Sequence, residues 1–305
     1  MEFSKLLMYN NFAQPKLSKM TKGGLAVKLC IRAHDLGCKG TENILNRLDE
    51  LGIDGVQMVC YKAYDDIAYA PGTITVEKAS EIGKAFAARG KIIPLVGAYF
   101  NPVHSNIEKR ERCFAVFADY LRCCKAMGCD FVGSETGSFN DDKWTYHPKN
   151  RTPEALQTVA QTFSKLCDIA EEYGSTVAVE GAAGHVCYDV ATLQKARGMI
   201  GKKTKVIFDL YNYLDGSNQF DYLSILDEGL KTFVGEILLF HMKDCLLVEG
   251  GAPKQVPLGT GDLDMEAILR RIKAYDENAV LTLEGTTGDD IGHAVATIKT
   301  IWERV

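Results

Sequence analysis

TPEALQTVAQTFSKLCDIAEEYGSTVAVEG, residues Thr152 to Gly181, reads as one helix followed by one strand. Thr152 is placed to cap the helix, because its hydroxyl can accept a hydrogen bond from an unpaired N–H of the first turn. Pro153 stands at the first helical position, where an N–H is not needed. Leu156, Val159, Phe163, Leu166 and Ala170 follow at spacings of three and four and so share one face. Val177, Ala178 and Val179 then form an apolar run with strand character, and it ends on a carboxylate, Glu180, followed by a glycine.

The same alternation extends in both directions. Toward the C terminus, VIFDL ends at Asp209, ILLFHMKD carries His241 and AVLTLEG ends at Glu284, with helical patterns at Asp189–Met199, Tyr222–Thr232, Asp264–Ala274 and Asp289–Glu303. Toward the N terminus, LAVKLCI (Leu25–Ile31), GVQMVC (Gly55–Cys60), KIIPLVGAYF (Lys91–Phe100) and DFVGSE (Asp130–Glu135) read as strands. Helices are expected between them at Thr41–Leu51, Thr75–Arg89, closed by Gly90, and Ile107–Met127. Strand and helix alternating over the whole chain predict the α/β class with a parallel sheet, and eight repeats favour closure into a single (β/α)8 TIM barrel. A dinucleotide-binding sheet would want G-x-G-x-x-G after its first strand, and none is there; GTGD (Gly259–Asp262) is too short and reads as a loop turn. Residues 1–23 read as an N-terminal extension and 24–305 as the barrel.

The net charge of −5 argues against a nucleic-acid partner, since phosphate binding relies on clustered Lys and Arg. The ten cysteines are dilute for a chain of this length and no pair has C-x-x-C spacing, which excludes zinc-ribbon and thioredoxin-like readings. Reduced, mostly buried thiols and a cytoplasmic location are expected. The leader MEFSKLLMYNNFAQPKLSKM lacks a continuous apolar core and no run is long enough to span a bilayer, so no membrane association is expected.

Chemistry concentrates at the strand ends. In a barrel the C-terminal ends of the strands face the site, and strands roughly 4.8 Å apart allow Glu180, Asp209, His241 and Glu284 to converge. Three carboxylates that close repel one another, and a divalent cation is the simplest relief. Oxygen-rich ligation with one imidazole suits Mn²⁺ best, with Mg²⁺, Co²⁺ and Zn²⁺ as alternatives; the lack of thiolates argues against a structural zinc. Asn101, His104 and Glu135, at the ends of strands three and four, are candidate substrate contacts, and Tyr61, Tyr99 and Trp144 are candidates for an apolar wall. His34, near the end of the first strand, is read as structural.

In their contexts, VAVEG, VIFDLYNYL, LLFHMKD and LTLEG, these four residues resemble the xylose-isomerase-like sugar isomerase and epimerase superfamily, from about Leu25 to the C terminus. The resemblance implies one divalent metal held by Glu180, Asp209, His241 and Glu284. In the ketose 3-epimerases and hydroxypyruvate isomerases of that group the two metal-bound glutamates also exchange the substrate proton, which implies this catalytic role for Glu180 and Glu284. His185, in EGAAGH, follows the first glutamate where relatives place a substrate-binding group. Asn212, a further candidate substrate contact, stands where the 3-epimerases commonly have a histidine, and the arginine often found after their metal histidine is missing from HMKDCLLVEGG. Lys243 points to the same face as His241 by strand periodicity; it either holds a substrate hydroxyl, carboxylate or phosphate or pairs with Asp244 or another acid.

The expected activity is therefore a metal-dependent isomerase or epimerase acting on a small sugar or sugar derivative through an enediolate. A lyase or dehydratase acting on a keto-sugar or keto-acid would use the same parts. An abasic-site endonuclease is disfavoured by only six histidines and the negative charge, and a non-catalytic barrel by the retained pair of glutamates. LEGTTGDD (Leu283–Asp290) lies where barrels often bind phosphate, but Asp289 and Asp290 at that helix start would repel one, which favours a non-phosphorylated substrate. The partner is thus a small carbohydrate, and association into a homo-oligomer is left open.

Overall fold

The computed structural model describes residues 27–305. The extension expected at 1–23 therefore lies outside the described residues. Eight parallel strands close into a barrel: β1 (Lys28–Arg32), β2 (Gly55–Met58), β3 (Ile92–Gly97), β4 (Phe131–Glu135), β5 (Thr176–Glu180), β6 (Thr204–Asp209), β7 (Ile237–Met242) and β10 (Val280–Leu283). Going round from β1, the order is β10, β7, β6, β5, β4, β3, β2. Between β7 and β10 a short antiparallel hairpin, β8 (Asp244–Leu246) and β9 (Lys254–Val256), stands outside the barrel.

Among the described residues seven helices connect the strands, α1 (Thr41–Leu51), α3 (Val76–Ala88), α4 (Ile107–Cys123), α5 (Pro153–Tyr173), α6 (Val190–Ile200), α7 (Tyr222–Thr232) and α8 (Met265–Tyr275), and α9 (Asp290–Arg304) follows β10; a single-turn helix, α2 (Cys60–Ala63), follows β2. The α5 start matches the sequence reading, with the Thr152 hydroxyl accepting from Ala155 N at 3.2 Å and Pro153 leading the helix. Its apolar stripe, including Leu156, Val159, Phe163, Leu166 and Ala170, is buried. The bulk of the apolar core is the layer between strands and helices, and a smaller cluster of Leu95, Ala178, Ile207 and Leu239 fills the barrel axis. Gly133 makes that axial packing fit: a Cβ there would lie 2.6 Å from Ile207 Cδ1, so even alanine would force the axial side chains apart.

Element boundaries differ from the sequence reading where pairing or local geometry overrides apolar pattern. GVQMVC stops pairing at Met58 because Cys60 begins α2, and KIIPLVGAYF pairs only over Ile92–Gly97. The helix read as Ile107–Met127 is α-helical to Cys123 and tightens into a 3-10 turn over Cys124–Met127, which ends on Gly128 in the left-handed region. The hairpin was not expected. It is anchored by the buried Asp244 carboxylate, which accepts from the backbone N–H groups of Cys245, Gly259 and Gly261 at 2.8 to 3.0 Å. Asp244 is thus fully engaged by a loop and is not the partner of Lys243.

Register sets the height of the polar strand ends. Glu180 and Asp209 are the last residues of β5 and β6, His241 is next to last in β7 and pairs with Asp209, and Glu284 is the first residue past β10. These four strands are successive neighbours in the barrel. Among the described residues no helix is long and apolar enough to cross a membrane.

Candidate metal centre

Glu180, Asp209, His241 and Glu284 each bring one ligand atom to within 4.8 Å of the others. Two ligands on opposite sides of an ion about 2.1 Å from each would be about 4.2 Å apart, so the cluster needs only small adjustment to hold one. His241 Nδ1 lies 3.2 Å from Glu180 Oε1, 3.5 Å from Asp209 Oδ2 and 2.7 Å from Glu284 Oε2. The side chains of Glu180, Asp209 and His241 are almost fully buried, whereas Glu284 is 13% exposed, so access to the cluster runs past Glu284.

Gln57, in the middle of β2, fixes the imidazole. Its Oε1 lies 2.7 Å from His241 Nε2 and accepts that N–H, and its own amide donates to Tyr99 Oη at 2.6 Å. With Nε2 committed, Nδ1 faces three carboxylates. An imidazole lone pair cannot rest against carboxylate oxygens unless a proton or a cation lies between them. Burial works against a charged imidazolium here, but Glu284 and Glu180 beside it hold the pKa well above the usual histidine value. A proton is thus retained at neutral pH, at the position a metal-ligating nitrogen needs free. A divalent ion must displace it, so binding is expected to release close to one proton and to strengthen as pH rises. Calorimetric titration of Mn²⁺ in buffers of differing ionisation enthalpy measures that proton; no release would contradict the arrangement.

Because Gln57 holds His241 through Nε2 and would orient it toward an ion without touching that ion, Gln57→Leu is expected to weaken Mn²⁺ binding by about 10- to 100-fold with the barrel intact. Competition with a fluorescent chelator reads the constant, and an unchanged value would mean that His241 is held by its carboxylate neighbours alone.

Three further side chains close the network. Lys243, just past β7, places Nζ 2.8 Å from Asp209 Oδ2 and 3.0 Å from Glu284 Oε1, ion-pair distances without hydrogen-bond alignment, and donates a hydrogen bond to Asn212 Oδ1 at 3.0 Å. Asn212 in turn donates from Nδ2 to Glu180 Oε1 at 2.8 Å and from its backbone N–H to Asp209 Oδ1 at 3.0 Å. Arg32, the last residue of β1, reaches Glu284 Oε1 with Nη1 at 2.8 Å and grips Asp35 with Nε and Nη2. Asp35 is itself fixed by Gly285 N at 2.9 Å.

These contacts drive the two glutamates apart. Burial opposes ionisation of both, but Lys243 and His241, then Arg32, hold Glu284 well below the usual carboxylate range. For Glu180 burial dominates and the pKa is raised despite His241 beside it. Glu135 pairs with Glu180 across β4 and β5; burial, then Glu180 and Glu284, raise its pKa well above the usual value. A pair of carboxyl groups with opposed shifts is what acid–base chemistry requires.

The other expected substrate contacts divide. Asn101 is a loop brace: its amide donates to Ser138 O and Asp141 O and its Oδ1 accepts from Val103 N. His104 accepts from Asn106 N through Nδ1 and faces Asp142 through Nε2 at 3.3 Å. His185 donates to Trp144 O at 3.2 Å and leaves Nδ1 buried without a partner; burial pushes its pKa down to about 4, so it is neutral. Of the expected wall, Trp144 packs edge-on against His185, Tyr61 packs against Tyr69 with the rings tilted, and Tyr99 joins the network of the candidate site through Gln57. A cavity of about 90 Å³ between Tyr69, Tyr99, His104 and Trp144 shares Tyr99 as a wall with the cluster. His34 lies outside the four-ligand cluster, beside Asp35.

Gln57 and Arg32 were missed in the sequence. A polar residue inside the apolar run GVQMVC was a visible signal for Gln57, and applying the strand-end rule to β1 would have reached Arg32.

A family model described as xylose isomerase-like TIM barrel matches residues 45–301. No curated protein sequence matches the chain. Among solved structures, a xylose isomerase domain protein from Planctomyces limnophilus superposes with TM-score 0.70 at 18% identity, covering 93% of this chain and 99% of that one. A D-tagatose 3-epimerase-like protein gives 0.69 at 16%, covering 92% and 98%. The IOLI protein with a bound zinc atom gives 0.67 at 14%, covering 90% and 96%.

Proposed function

The chain belongs to the xylose isomerase-like TIM barrel family, and from that premise we propose that it is a divalent-metal-dependent isomerase or epimerase of a small sugar derivative. The observation that carries the reading is the buried Glu180–Asp209–His241–Glu284 cluster at four successive strand ends, with the two glutamates at its outer positions. The epimerase-like and zinc-containing neighbours agree with it.

Glu180, Asp209, His241 and Glu284 would hold the ion, which when bound supplies a Lewis acid that polarises the substrate carbonyl and stabilises an enediolate. Ionised Glu284, on the accessible side, is suited to remove the proton beside the carbonyl. Glu180, whose pKa is raised, is suited to return one. Return on the opposite face gives an epimer; transfer by one base on one face gives aldose–ketose isomerisation. Asn212 holds Glu180 in place, and Lys243 faces the same space as a candidate partner for a substrate oxygen. Glu135 and His185 remain candidate substrate contacts, because no hydrogen bond among the described residues ties the carboxyl of the one or Nδ1 of the other.

The test is proton NMR in D₂O of a panel of ketoses, keto-acids and their phosphates with Mn²⁺-loaded protein. Deuterium is expected to appear beside a carbonyl. Metal-loaded protein that exchanges none of the panel would sink the reading and move the weight to a lyase or dehydratase.

A further inference from the structure

The absence of a side chain at Gly97 decides where the Tyr99 ring lies. Leu95 fills the barrel axis, so by strand periodicity Gly97, two residues on and last in β3, also faces the interior. A Cβ at Gly97 would lie 2.7 Å from Tyr99 Cε2 and 3.2 Å from its Cδ2. The ring is thus folded back into the space that the missing side chain leaves, inside the mouth of the barrel. The Tyr69 hydroxyl donates to the Tyr99 carbonyl at 2.9 Å and holds the backbone there. The same ring borders the cavity of about 90 Å³ shared with Tyr69 and Trp144.

His241 sets the direction of the hydrogen bonds that reach this ring. Its Nδ1 faces the carboxylates, so Nε2 carries a proton and donates to Gln57 Oε1 at 2.7 Å. Turned the other way, the Gln57 amide would set NH₂ against N–H. Its NH₂ is therefore directed to Tyr99 Oη at 2.6 Å, and the phenol oxygen accepts. Tyr99 keeps its own O–H to give, and no acceptor among the described residues takes it. Glu135 and Glu180 end the next two strands, yet neither carboxylate is hydrogen-bonded to the phenol. Burial, then Glu180 and Glu284, hold the phenol well above the usual tyrosine range, so the proton stays on at neutral pH. A hydroxyl that is fixed by an accepted bond and has no acceptor for its own proton presents a donor to whatever enters the site.

We propose that Tyr99 is a substrate-contacting residue whose O–H donates a hydrogen bond to a hydroxyl or carbonyl oxygen of the substrate, held between the four-ligand cluster and the aromatic cavity. This inference rests on the isomerase or epimerase reading and adds a residue to the same site. Tyr99 is then a polar contact and not only the apolar wall that its side chain suggests. The chain of donors runs from His241 through Gln57 to Tyr99 and on to the substrate, so the amide that orients a candidate metal ligand also orients a substrate donor. A neutral phenol so placed stabilises negative charge developing on that oxygen without giving up its proton.

Calorimetric titration of Mn²⁺-loaded protein with glycolohydroxamate tests it, since this planar chelate carries two neighbouring oxygens in the arrangement of an enediolate. Tyr99→Phe keeps the ring and removes the O–H, and is expected to weaken glycolohydroxamate by about tenfold or more. Mn²⁺ affinity, read by competition with a fluorescent chelator, is expected to stay within about threefold, because Gln57 keeps its bond to His241. For any ketose that exchanges hydrogen in D₂O, the variant should lower kcat/KM by about tenfold or more. No binding of glycolohydroxamate by the wild type or an unchanged constant in Tyr99→Phe overturns the proposal. A parallel loss of about tenfold in Mn²⁺ affinity also overturns it, since Tyr99 would then act only by bracing Gln57. Exchange at the wild-type rate by Tyr99→Phe would overturn it while leaving the isomerase reading standing. A glycolohydroxamate constant that depends on Tyr99, without exchange of any ketose or keto-acid, would do the reverse.

Discussion

Glu284→Gln is expected to abolish exchange of substrate hydrogen with solvent, with a loss of about 10²- to 10⁴-fold in turnover, while the barrel stays folded. The substitution keeps the shape and removes the charge. In the native site one oxygen of Glu284 meets Arg32 at 2.8 Å and Lys243 at 3.0 Å, while the other lies 2.7 Å from His241. An amide cannot accept a proton at neutral pH, and its NH₂ would point at one of these cations or at the imidazole. Glu180→Gln should act similarly, since the proposed reaction gives its carboxyl the second proton transfer. Asp209→Asn and His241→Ala should act through metal loss and be partly restored by excess Mn²⁺, a rescue that the glutamate variants should not show. Deuterium incorporation followed together with metal content by atomic emission separates the two classes. Wild-type exchange by metal-replete Glu284→Gln would remove Glu284 from the chemistry.

What the sequence made legible follows from periodicity. Each barrel strand is an apolar run of four to six residues, and its polar terminus stands out against that run, so Glu180, Asp209, His241 and Glu284 could be picked out before any geometry. Parallel pairing then guarantees that residues ending neighbouring strands lie at similar height, as Asp209 and His241 do. The direction of side chains in the loops was not legible. Asn101 and His104 lie near a strand end, yet their polar atoms turn back to satisfy loop backbone and neighbouring acids, because a buried loop must find partners for its own N–H and C=O groups. Gln57 escaped for the opposite reason. Its strand neighbours Val56 and Met58 are buried and apolar, and only the closed barrel brings β2 far enough round for its amide to meet His241 across the axis. The roles of Arg32 and Asp35 depend likewise on β1 pairing with β10, strands about as far apart in sequence as the described chain allows.

Lys243→Met is expected to lower the stability of the metal-free protein and, at the same time, to raise its affinity for metal. In the metal-free site the ammonium is the cation shared by Asp209 and Glu284, with its side chain only 6% exposed. Burial opposes its charge, but Asp209 and Glu284 hold the pKa above the usual lysine value, so it is charged throughout the accessible pH range. Replacing it with an apolar chain of similar length leaves two buried carboxylates poorly compensated, a change that costs about 3 kcal/mol when one partner of such a pair is removed. The metal-free melting temperature should fall accordingly. The sign reverses once an ion is added, because the ammonium repels it. A unit charge about 5 Å from a dication costs several kcal/mol even at an effective dielectric constant of about 20, so the variant should bind Mn²⁺ at least about tenfold more tightly. Metal should then raise the melting temperature more in the variant than in the wild type. Turnover should nevertheless fall, because the same ammonium faces the substrate space beside Glu284. A purely structural lysine would lower stability and leave affinity untouched. A lysine acting only on substrate would lower turnover and leave both unchanged. Opposite movement of metal-free stability and metal affinity is the result that places Lys243 in electrostatic balance with the metal, and parallel movement of the two would exclude it.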